Sequence, residues 1–114
     1  MSDLLKTAVK ALDEKKAEHI TVMDFRSVSP LADYFVICDA DNQRKLNAIS
    51  ENVVDRLEEA GFTIKSFEGD EESHWVLIDA YDVVVHVFLR EDRVFYGLEK
   101  LWMDVPRVAV DEFL

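Results

Sequence analysis

Asp39 and Asp41, two carboxylates separated by one residue, follow an apolar run and are the most enzyme-like residues in this sequence. On an extended strand, residues i and i+2 point the same way. The pair could therefore hold a divalent cation for phosphoryl chemistry. Nucleotidyltransferases use such a pair together with a Gly-Ser element that grips triphosphate, and no such element precedes it here. The simpler expectation is structural: Asp39 and Asp41 end the strand and cap the helix that opens at Gln43, as short polar side chains do.

The other reactive residue types lack companions. His19, His74 and His86 are far apart and lack the i, i+4 spacing of helical metal ligands. Strand alternation groups His86 with Val84 and Phe88, the setting of a hydrogen-bonded structural histidine. Cys38 ends the run Tyr34-Phe35-Val36-Ile37-Cys38 and reads as a small buried hydrophobe. A single cysteine makes neither an intramolecular disulfide nor a Cys-based zinc site. Ser27 and Ser29 lie in no nucleophile elbow, and neither glycine-rich phosphate cradle is present. No metal and no cofactor are expected, and the chain reads as a binding protein rather than an enzyme.

The features that suit binding are stronger. Trp75, Tyr81, Phe95, Tyr96 and Trp102 crowd the last third of the chain beside Glu68, Asp70, Glu71, Asp82 and Glu99. Aromatics among carboxylates can stack on and hydrogen-bond to Arg-bearing surfaces. The charge agrees: 13 Lys and Arg against 24 Asp and Glu leave −11, which repels free nucleic acid and attracts basic partners. No apolar stretch approaches the roughly 18 residues of a membrane span, and the N-terminus lacks a signal-peptide layout. A cytoplasmic location is expected.

Elements that would position these residues follow from periodicity. At 114 residues and 49% hydrophobic, the chain suits one domain with one modest core. Leu5, Val9 and Leu12 predict an amphipathic helix over residues 2–17, capped by Ser2 or Asp3, with Lys15 and Lys16 in its last turn. Strands are expected over 19–25 and 31–38, the second covered on both faces. Leu46, Ile49, Val53 and Leu57 mark a helix over 43–60, stopped by Gly61. A strand at 62–67, an acidic turn, and a hairpin of strands 75–79 and 83–89 come next. A short helix from Glu91, broken near Gly97, leads to a loose tail from Asp104, although Val108, Val110, Phe113 and Leu114 could dock. The expected fold is α/β (α+β): a five-stranded mixed sheet flanked by helices, with residues 1–106 as the domain and 107–114 as the tail.

The runs Ala32–Cys38, Glu68-Gly69, Trp75–Asp79, Asp82–Phe88 and Phe95–Trp102, with the helix carrying Arg44, resemble the Iojap family of ribosomal silencing factors. The most specific parts are Asp82-Val83-Val84-Val85-His86-Val87 and Tyr96-Gly97-Leu98-Glu99-Lys100-Leu101-Trp102. The likeness spans roughly Ser2 to Pro106. It implies a nucleotidyltransferase-like fold without the catalytic apparatus. It also implies binding to the large ribosomal subunit at ribosomal protein fourteen, which blocks small-subunit joining and represses translation. Homodimers are common in such a family, and the absence of a transit peptide favours a bacterial member. Carried over residue by residue, the contact surface would comprise Trp75, Asp82, His86, Tyr96, Leu98, Glu99, Lys100 and Trp102, flanked by Glu68 and Asp70. Asp39-Ala40-Asp41-Asn42 departs from the small Gly/Ser/Thr-rich turn usual in the family, which keeps a metal-dependent nucleotidyltransferase as an alternative. A homodimeric adaptor for another basic partner is the second alternative.

Overall fold

The order of elements in the computed structural model, which describes residues 3–114, is α1 (Asp3–Glu14), β1 (Glu18–Asp24), β2 (Tyr34–Ala40), α2 (Gln43–Glu59) and β3 (Ser66–Glu68). The chain continues through β4 (Trp75–Asp79), β5 (Val83–Leu89), α3 (Arg90–Tyr96), α4 (Leu98–Leu101) and β6 (Arg107–Val108), and closes with a 3₁₀ turn at Val110–Phe113. Six strands form one sheet in the order β3-β4-β5-β2-β1-β6. Among the described residues only the central β2–β5 pair is parallel. Its two strands read as near-continuous apolar runs because both of their faces are covered.

Alternation along the strands builds two unequal layers. On one face Val36, Cys38, Val76, Ile78, Val85 and Val87 pack beneath α1 and α2, which contribute Leu5, Val9, Leu12, Leu46, Ile49, Val53 and Leu57. On the other, Met23, Ile37 and Phe88 lie under a smaller cover made with Phe25, Val105, Leu98 and Trp102. This thinner layer comes from α3, α4 and the chain that follows them.

Both long helices end as local chemistry dictates. Asn42 accepts the Lys45 N–H at 2.8 Å and caps α2, while Asp41 holds the Asn42 amide, so the cap is Asn42 and not the aspartates. Gly61, at φ +88, follows as the expected stop. Lys15 and Lys16 fall just beyond α1 instead of in its last turn. Lys16 takes the left-handed position at φ 59, and Ala17 N–H bonds back to the Leu12 carbonyl at 3.0 Å, closing a Schellman-type end without glycine. The Ser2 cap lies outside the described residues.

Three expectations change. The sheet has six strands instead of five, the sixth formed by the tail. That tail is not loose: Arg107–Val108 pairs with β1, and Phe113 is inserted in the main core with 2% of its surface exposed. Val108 and Val110 pack against the main core, and Phe113 enters it beside α1, so three apolar side chains fasten the segment. The strand at 62–67 shrinks to Ser66–Glu68, since Phe62 and Ile64 pack on the core from irregular backbone.

Candidate functional site

Gly97 sets the site's shape. It sits between α3 and α4 at φ 57, a left-handed conformation most side chains resist, and its N–H closes α3 on the Arg93 carbonyl. The break lets one short helix follow another across the sheet. Leu98 and Trp102 turn inward, Trp102 edge-on to Phe25 and Phe35 at centroid distances of 5.3 and 5.4 Å. Val94, Phe95, Leu101 and Met103 turn outward, with Phe95 81% exposed. Tyr96 lies between these extremes, 47% exposed and 4.8 Å from the Trp75 ring.

Beneath Tyr96 an aromatic stack runs into the sheet. Trp75 stacks on Phe88 at 4.9 Å, and its Nε1–H donates to Nδ1 of buried His86 at 3.1 Å. Accepting that bond places the neutral imidazole's proton on Nε2, which has no partner among the described residues. Burial pushes the His86 pKa down to about 4. His86 therefore supports Trp75 from below and is itself closed off from the surface.

Asp39 occupies a different place from the one its spacing suggests. Its carboxylate is 2% exposed and is held by Arg93 Nη1 at 3.0 Å, Arg90 Nε at 3.2 Å and His19 Nδ1 at 3.0 Å. His19 reaches it from a bulge in β1, with a left-handed backbone at φ 52. Arg93 also bonds Glu99 Oε1 at 2.7 Å, Thr21 Oγ1 at 3.0 Å and the His19 carbonyl at 2.5 Å. Burial lowers the Arg93 pKa, but Glu99 and Asp39 outweigh it and the net shift is upward. Arg90 bonds Glu18 as well. His19, Asp39, Arg90, Arg93 and Glu99 line a cleft of about 460 Å³, and the ion pairs among them fasten α3 and α4 to β1 and β2, while Lys100 stands exposed at its lip.

That network bears on the metal alternative. Glu18, His19 and Asp39 could bring ligand atoms within 4.8 Å of one another, but two guanidinium groups already neutralise both carboxylates. Asp41 is exposed beyond the end of β2 and bonds Asn42, so it does not join Asp39 as a second ligand. The donor set does not fit a catalytic cation. Cys38 is inert for a related reason, since burial pushes its thiol up to about 12.

The remaining sequence candidates divide by position. Trp75, Tyr96, Leu98, Glu99, Lys100 and Trp102 gather around α3, α4 and the start of β4, with Glu99 already paired internally. Glu68 joins this side of the sheet through its register with Leu77, and exposed Asp70 lies in the turn after β3. Asp82 stands apart, exposed in the turn at the opposite end of β5 from Phe88, the partner of Trp75. Val94 and Met103 were not singled out by the sequence, and Phe95 and Leu101, although recognised there, were not placed on the contact surface. Their one available signal was an apolar set too large for so short a helix to bury.

A model described as ribosomal silencing factor during starvation matches residues 1–114. The chain belongs to the ribosomal silencing factor family. It is 44% identical to the ribosomal silencing factor of Bacillus subtilis, over 95% of this chain and 92% of that one. It is 43% identical to that of Halalkalibacterium halodurans, over 96% and 93%. The chloroplastic protein Iojap of Zea mays is 34% identical over 82% of this chain and 40% of its own length. A crystal structure from Bacillus halodurans superimposes with a TM-score of 0.85 at 41% identity, covering 96% of this chain and 99% of that one. The mixed α/β fold is thus that of the silencing-factor structures, and no described helix is long and apolar enough to cross a membrane.

Proposed function

We propose that this silencing factor docks on the large ribosomal subunit at ribosomal protein fourteen and sterically blocks the small subunit from joining. The observation that carries the reading is the outward strip of α3, α4 and the turn after them, where Val94, Phe95, Tyr96, Leu101 and Met103 are each at least 47% exposed. Apolar residues gathered in this way, with Glu68, Glu91 and Lys100 exposed around them, suit an interface with an aromatic centre and a charged rim. Trp75 gives Tyr96 a rigid backing, and the Asp39–Arg93 network holds both helices in place. A large rigid side chain presented this way loses little freedom on binding. Ribosome docking of this kind places the protein in the cytoplasm.

Sucrose-gradient sedimentation with separated subunits tests the reading. The protein should travel with the large subunit and reduce its joining to the small one. Phe95→Ala and Tyr96→Ala should each weaken co-sedimentation by about thirtyfold, the scale of an anchor truncation of about 2 kcal/mol. Full co-sedimentation by both folded variants would show that the strip is not the ribosome contact.

A further inference from the structure

On the opposite face of the sheet from α3 and α4, α2 and β3 diverge and leave a groove of about 620 Å³. Its ends are defined. The Gly61–Lys65 turn joins α2 to β3 at one, and Asn47 Nδ2 donates to the Glu71 carbonyl at 3.0 Å at the other. From Asn47 to Glu58 the helix wall runs about 16 Å, at about 1.5 Å per residue. The floor is apolar: Val54, Ile64 and buried Val76, with Phe67 45% exposed at its lip.

The rim carries one sign. Glu51, Asp55 and Glu58 recur on one face of α2, and Asp70 and Glu71 face them from the turn after β3. Among the described residues none of these five carboxylates makes an ion pair. Lys65 is the single basic residue of the lining. The five cost little while hydrated, yet they make an anionic frame around an apolar floor.

From this complementarity we infer a second protein-docking site, for a Lys- or Arg-rich segment that seats an apolar side chain on Val54, Ile64 and Val76. Its basic residues would meet Glu51, Asp55, Glu58, Asp70 and Glu71. A second copy of this chain is a poor occupant, because a protein of net charge −11 would bring acid against acid. Nucleic acid and anionic lipid are repelled for the same reason. The site lies apart from the ribosome-facing strip proposed above, so both could be occupied together.

A fluorescent peptide alternating lysine with leucine, and its glutamate–leucine counterpart, serve as probes of the full chain. The lysine peptide should bind, weaken as salt rises, and shift amide resonances of α2 and of residues 64–71. The glutamate peptide should not bind. Glu51→Lys with Glu58→Lys, both at exposed positions, should keep the native melting temperature, weaken the lysine peptide at least tenfold and leave large-subunit co-sedimentation unchanged. Equal peptide affinity in this folded variant, or shifts centred on α3 and α4, would overturn the assignment. So would loss of large-subunit binding in the same variant, because the groove would then not be a separate site. If wild-type co-sedimentation itself fails, the ribosome reading falls while the peptide results still judge the groove.

Discussion

His86 accepts the Trp75 N–H and is otherwise enclosed by Phe35 and Phe88, which leaves no favourable place for a positive charge. Its pKa of about 4 lies below the ordinary value of 6.5, so between these limits the unfolded chain binds a proton that the folded chain refuses. Stability from this residue is complete above about pH 6.5 and is lost as pH falls towards 4, by roughly 3 kcal/mol in total. Denaturant unfolding at several pH values should show this slope, and His86→Leu should flatten it. An unchanged slope in that variant would remove His86 as its source. Asp39 carries a second residue-level consequence. Removing one member of a buried ion-paired cluster strands the others, so Asp39→Ala should cost about 3–5 kcal/mol. Asp41→Ala, which removes an exposed carboxylate, should cost about 0.5 kcal/mol or less. Urea midpoints for the two variants would separate a charge hub from a paired metal site, which would make the two losses alike.

At the level of elements, the terminal segment is a fastening. Val108 pairs with Val22 at the sheet edge, and Phe113 fills space beside α1. Phe113→Ala removes a fully buried ring and should destabilise the domain by about 3–5 kcal/mol. Thermal melting checks this, and a loss below about 1 kcal/mol would mean that the segment packs only loosely. The two helices of the site depend on fastening of another kind. Beside the apolar contacts of Tyr96, Leu98 and the following Trp102, α3 and α4 hold to the sheet through Arg93 and Arg90. Hydrophobic burial would have drawn Phe95 inward, and the charged anchor leaves it free to face solvent.

Across the whole molecule the two sheet faces have separate roles. One carries most of the core beneath α1 and α2 and supports the fold. The other is thinly covered, and its cover displays the apolar strip proposed as the ribosome contact. The net charge of −11 is spread so that, among the described residues, the α2–β3 groove carries carboxylates without ion pairs, whereas Asp39 and Glu99 in the α3 cleft are paired with arginines. Long-range attraction to a basic partner and the chemistry of a particular contact are therefore set by different residues.

Helical periodicity placed α2 within a residue, strand alternation put His86 with Val84 and Phe88, and Gly97 marked the helix break, because each depends on neighbours within a few positions. The family was readable in the runs Asp82–Val87 and Tyr96–Trp102 for the same reason, since a motif is local. Asp39 and Asp41 look equivalent in the chain, yet one is buried against two arginines more than fifty positions away and the other points into water. The sixth strand rests on a pairing between Val22 and Val108, and the groove on the angle between a helix and a strand. Partners distant along the chain decided these features, because burial and charge compensation are properties of the folded surroundings and not of any short stretch.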